Sequence, residues 1–101
     1  MTKVIYITGL VGKNMDAEMF ALKCLESSCG EPDAYVVCDT REHAPPPMHL
    51  ESRGVPIHIR GKLEKGEKLA GLLVCWKWDD GEKRLVERAE RLGAAVVAVW
   101  P

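Results

Sequence analysis

"KVIYITGLVGKNMDAEMFALKCLESSCGEPDAYVVC" (residues 3–38) decides the fold. It opens on KVIYIT and closes on AYVVC, two short runs rich in β-branched and aromatic residues, with no regular alternation of apolar and polar positions. Such runs are strands buried on both faces, and strands of that kind sit inside parallel sheets. Between them, Ala17, Phe20, Ala21, Cys24 and Leu25 recur at helical spacing, with Asn14 or Asp16 placed to cap the start and Gly30 to end the helix. Parallel neighbours need a crossover, so the stretch reads as a right-handed βαβ unit.

The rest of the chain continues the pattern. Val55, Ile57 and Ile59 alternate in VPIHIR as a third strand, and Pro56 places it towards an edge. AGLLVCW (residues 70–76) is a fourth strand. A helix with Leu85, Val86, Ala89 and Leu92 on one face follows it and ends at Gly93, and AAVVAVW (residues 94–100) is a fifth strand. Alternating strands and helices with short connections predict one Rossmann-like α/β domain over residues 1–101, a mainly parallel five-stranded sheet with helices on both faces. The first strand should be central and the fourth beside it. Residues 39–54 form a proline-rich connection with at most one helical turn near Met48, and GKLEKGEKL is too charged and glycine-broken for a helix.

Composition bounds the function. The chain has 101 residues, and its 14 basic and 15 acidic side chains leave a net charge of −1. A field that would draw it to nucleic acid or an anionic membrane is therefore missing. No apolar run approaches the roughly 20 residues that cross a bilayer, and MTKVIYITGL does not read as a signal peptide, so the expected compartment is the cytoplasm. Cys24, Cys29, Cys38 and Cys75 lack a CxxC pair and read as buried free thiols. His43, His49 and His58 are dispersed, no zinc spacing is present, and no cofactor is implied.

Open α/β sheets bind ligands outside the carboxyl ends of their strands. Four loops are expected there: TGLVGKN, DTREH, RGK and WKWDDG. Gly9 and Gly12 permit close backbone approach to a ligand, although the loop is neither GxGxxG nor a Walker loop, and Asn14 closes it. Arg41 can reach the crevice. Of Trp76 and Trp78, one can cover the core edge while the other overhangs the crevice and stacks on a flat ring. Asp79 and Asp80 precede the second helix, Gly81 opens it and Glu82 lies in its first turn. These carboxylates cap the helix, repel a phosphate and favour a sugar hydroxyl or an amino group.

Two of these motifs together resemble a family. YITGLVGKN with Phe20 looks like the opening of the nucleoside deoxyribosyltransferase-like proteins, especially their short bacterial and phage relatives. AGLLVCWKWDDGEKRLVERAERLGAAV looks like their second signature, with Trp76, Gly81, Ala89 and Gly93 at matching spacing. The resemblance covers about sixty residues at the two ends. It implies a nucleoside pocket and the chemistry of moving a deoxyribose between bases through a glutamate nucleophile, with an acidic residue assisting. In this chain the assisting position corresponds to Gly71 and the nucleophile to Leu85, and Leu10 and Asp79 depart from the family pattern too.

The first reading is therefore a pocket protein that binds a nucleoside, nucleotide or related sugar-base ligand and has lost ancestral catalysis. A second keeps glycosidic cleavage by using Glu82, one helical turn before Leu85. A third makes the fold a scaffold for a protein partner, as in a phage accessory protein or inhibitor. The resemblance also implies a homodimer.

Overall fold

The structure, a computed structural model, describes residues 1–8, 15–38, 53–74 and 80–98, apart from the side chains of residues 15, 38 and 80–82. Its elements are β1 (Thr2–Thr8), α1 (Met15–Cys29), β2 (Ala34–Cys38), β3 (Ile57–Ile59), β4 (Glu67–Val74), α2 (Asp80–Arg91) and β5 (Ala95–Ala98). The five strands form one sheet in the order β3-β2-β1-β4-β5, with every neighbouring pair parallel. This is the Rossmann-like α/β architecture, with β1 at the centre, β4 beside it, and β3 on one edge.

The apolar run of β1 is buried on both faces, as its composition requires. Ile5 and Ile7 pack with Tyr35, Val37 and Leu73 under Ala21, Leu22 and Leu25 of α1. Val4 and Tyr6 pack with Val36, Leu72 and Val74 against Val86 and Ala89 of α2. The two helices thus cover opposite faces, and the alternation of side chains along β1 decides which helix each residue meets.

Helix α1 is rotated from the expected stripe. Phe20 is 70% exposed and Cys24 is exposed, while Glu18, Ala21, Leu22 and Leu25 face inward. Phe20 and Leu22 lie about 200° apart on an α-helix, so only one can meet the sheet. Leu22 and Leu25 pack on Ile5, Ile7, Tyr35, Val37 and Leu73, and Phe20 and Cys24 turn outward. Cys24 is therefore not a buried thiol. Cys29 is half-buried, and burial pushes its thiol pKa up. Asp16 lies within α1 and is not its cap, and Asn14 lies outside the described residues.

On α2, Val86 and Ala89 are buried and Leu85 is half-buried, but Leu92 is 59% exposed. Leu92 falls on the turn after Arg91. There the Gly93 amide bonds to the Glu90 carbonyl (3.0 Å) and the Ala94 amide to the Ala89 carbonyl (3.0 Å). Gly93 has φ +77°, so this Schellman turn uses the left-handed conformation that glycine adopts freely. The turn lifts Leu92 off the sheet.

Strand β4 begins three residues earlier than its apolar run suggests, at Glu67. The Arg60 guanidinium holds both Glu67 oxygens at 2.6 and 2.5 Å, which lets a charged residue start the strand. The Arg60 bond, with the Glu64 amide, draws the Glu67 pKa down to about 2. A bulge follows: Val4 pairs with Leu69 and Ile5 with Gly71, leaving Ala70 as the extra residue. It sends Leu69 to the α2 face and Gly71 to the α1 face. The suggested helical turn near Met48 lies outside the described residues.

Candidate functional site

The chain leaves β1 towards β2 on one side and leaves β4 towards β5 on the other, while β1 and β4 lie side by side. Adjacent strands whose connections diverge open a crevice at their carboxyl ends. Those ends are aligned, since Thr8 pairs with Val74. The strand ends that precede the TGLVGKN and WKWDDG sequences, at Thr8 and Val74, are therefore neighbours on the same edge of the sheet.

Gly9, Gly12, Asn14, Arg41, Trp76, Trp78 and Asp79 lie outside the described residues. Gly81 and Glu82 are placed by their backbone in the first turn of α2. The start of α2 lies at the carboxyl edge, because α2 returns the chain from the end of β4 to the beginning of the parallel strand β5.

Two polar residues at this edge are buried, and the sequence reading named neither as a site residue. Thr8, the last residue of β1, is 6% exposed, and its hydroxyl has no hydrogen-bond partner among the described residues. By strand alternation it shares the α2 face with Val4 and Tyr6. Glu18 is 4% exposed. It continues the inward stripe of Leu25, Leu22 and Ala21 by one turn towards the start of α1, on the α1 face. The end of β1 is thus flanked by a buried hydroxyl on one face and a buried carboxylate on the other. A carboxylate is seldom buried this deeply without a specific role or partner. The signal in the sequence is that Glu18 stands at helical spacing from Leu22 and Leu25, which only the correct rotation of α1 reveals.

The two positions where the resemblance implies acidic residues are core positions here. Gly71 lies under α1, and a Cβ there would come within 3.0 Å of Leu25 Cγ. Leu85 packs against the cluster around Tyr6, Leu72 and Val86.

The RGK segment does not join the crevice. Residues 60–66 must run from the carboxyl end of β3 to the amino end of β4, so they turn at once down the α2 face. The Arg60 guanidinium is tied to Glu67 and Glu64 instead. A second polar cluster joins the last turns of α1 to the chain before β3. The Tyr35 hydroxyl donates to Glu26 Oε1 (2.8 Å) and accepts from Arg53 Nε (2.8 Å), and Arg53 also meets both Glu26 oxygens at 2.6 Å. Burial and the Glu26 bond push the Tyr35 pKa up to about 12. This cluster sits at the amino edge, away from the crevice, and its role is to fix α1.

Among the described residues no three His, Cys, Asp or Glu side chains gather into a metal site, and no helix is long and apolar enough to cross a membrane. Comparison with family models, curated proteins and solved structures finds no match to this chain.

Proposed function

We propose that this protein binds a nucleoside, nucleotide or related sugar-base ligand at the carboxyl edge between β1 and β4, and that it has lost ancestral glycosidic chemistry. The observation that carries the reading is the alignment of the β1 and β4 ends at the switch point of the sheet. The polar groups buried there suit a hydroxylated ligand. Glu18 can accept hydrogen bonds from sugar hydroxyls, and the Thr8 hydroxyl can donate or accept one. The loss of catalysis is supported by Gly71, beside which Leu25 takes the space a side chain would need, and by Leu85, an apolar residue packed against the Tyr6 cluster, so neither position carries a carboxylate.

The test is thermal denaturation in the presence of nucleosides and nucleotides. A ligand at a hundred times its dissociation constant stabilises by about 2.7 kcal/mol. The proposal expects such a shift with at least one of them. It also expects no free base from a deoxynucleoside on chromatography. Base release by the native chain that disappears in Glu82→Gln would establish the enzymatic alternative. Absence of any shift would favour a scaffold for a protein partner.

A further inference from the structure

The α2 face of the sheet contains a cavity of about 350 Å³ whose lining includes neither Thr8 nor Val74, the last residues of β1 and β4. Its walls are Leu63, Leu69, Leu85 and Leu92, with Tyr6 and Ala89 between them. Leu69 pairs with Val4 in the amino-terminal half of the sheet, and Leu92 follows the end of α2, which lies at that same half. The cavity has a topological origin. In a doubly wound sheet a helix normally joins successive strands and covers the face it crosses. Here residues 60–66 cross without a helix, and Leu63 is the apolar side chain they lay on that face. The bulge at Ala70 then points Leu69 into the space left open.

Two cations border this apolar space. Lys62 and Arg88 both line it and both are exposed, and among the described residues neither forms a side-chain ion pair. They approach from different elements, the β3–β4 connection and α2. The volume is that of a small-ligand pocket, in which apolar walls supply affinity and a few polar groups fix orientation.

We propose that this cavity is a second ligand site, taking a small molecule with an apolar body and a single carboxylate, of the short acyl-chain class. The apolar chain lies against the leucines and Tyr6, and its carboxylate is held at the mouth by Lys62 and Arg88. The leucine walls favour a flexible aliphatic body, and the two cations among the lining residues favour one anionic group on it.

Decanoate, with decanol and inorganic phosphate as comparisons, tests the site by amide chemical-shift mapping of the full chain. Decanoate should saturate and shift the amides of residues 61–63, 69 and 85–92. Phosphate alone should leave them unmoved, and decanol should bind more weakly. The double variant Lys62→Gln/Arg88→Gln changes only exposed side chains. It should weaken decanoate by at least about fivefold while leaving decanol unchanged, the size expected of exposed charge pairs. Raising the salt should narrow the gap between decanoate and decanol. Leu85→Phe, which places a bulkier side chain at the cavity wall, should reduce binding of both. Equal affinity for decanoate and decanol, shifts confined to other residues, or undiminished decanoate binding by the double variant would overturn the proposal. These shifts lie away from the ends of β1 and β4, so either site can fail without the other.

Discussion

Glu18 is the buried carboxylate that the functional reading sets against a ligand hydroxyl. It lies on the inward face of α1, and an apolar replacement would remove its polar contacts together with its charge. Glu18→Gln keeps the size and hydrogen-bonding capacity of the side chain and removes only the charge, so it separates function from stability. Glu18→Gln is expected to change stability by no more than about 1 kcal/mol while weakening the nucleoside-induced shift. Calorimetry with and without ligand checks both halves. Tyr35 offers a contrasting case, a polar core residue whose role is structural. Its pKa is raised from 10.0 to about 12, so the neutral form is favoured by folding. That stabilisation is complete below pH 10 and is lost as pH rises from 10 towards 12. The chain has two tyrosines, so a spectrophotometric titration of Tyr35→Phe should lack the high-pH step, and the variant should lose about 1–2 kcal/mol.

At the scale of elements, the sequence was readable wherever one physical demand dominated. Continuous apolar runs fixed β1, β2 and the core of β4, and Pro56 marked the edge strand β3. Gly93 ended α2 because only a left-handed residue completes its Schellman turn. Gly93→Ala should cost about 1 kcal/mol in chemical denaturation. The rotation of α1 was not readable, because two overlapping stripes share Ala21 and Leu25 and the choice between them depends on the shape of the strands beneath. The early start of β4 was hidden for a similar reason. Glu67 and Lys68 look like loop residues until Arg60 supplies a partner across the connection. Gly71 is a packing position that sequence alone cannot tell from a turn. Gly71→Ala would force Leu25 to shift by a few tenths of an ångström, since its Cγ lies 3.0 Å from the added Cβ. An expected loss of about 1–2 kcal/mol, measured by urea unfolding, checks that contact.

For the whole molecule, the strand order places the ends of β1 and β4 together, and this proximity links the two motifs that resemble the deoxyribosyltransferase-like proteins. The proposed homodimer has a candidate face in α1, where Phe20 and Cys24 lie one turn apart and exposed. Light scattering at micromolar concentration should give twice the mass of 11.2 kDa, and Phe20→Glu should give the monomer. A monomeric native chain would remove the dimer without touching the pocket. The pocket itself is tested most directly by following backbone amide shifts while nucleosides and nucleotides are titrated into the native protein. The account predicts saturable changes at Ile7, Thr8, Leu73 and Val74 and in the first turns of α1 and α2. Changes confined to the amino edge, at Thr2, Glu67 and Ala95, or none at all with any of these ligands, would contradict it.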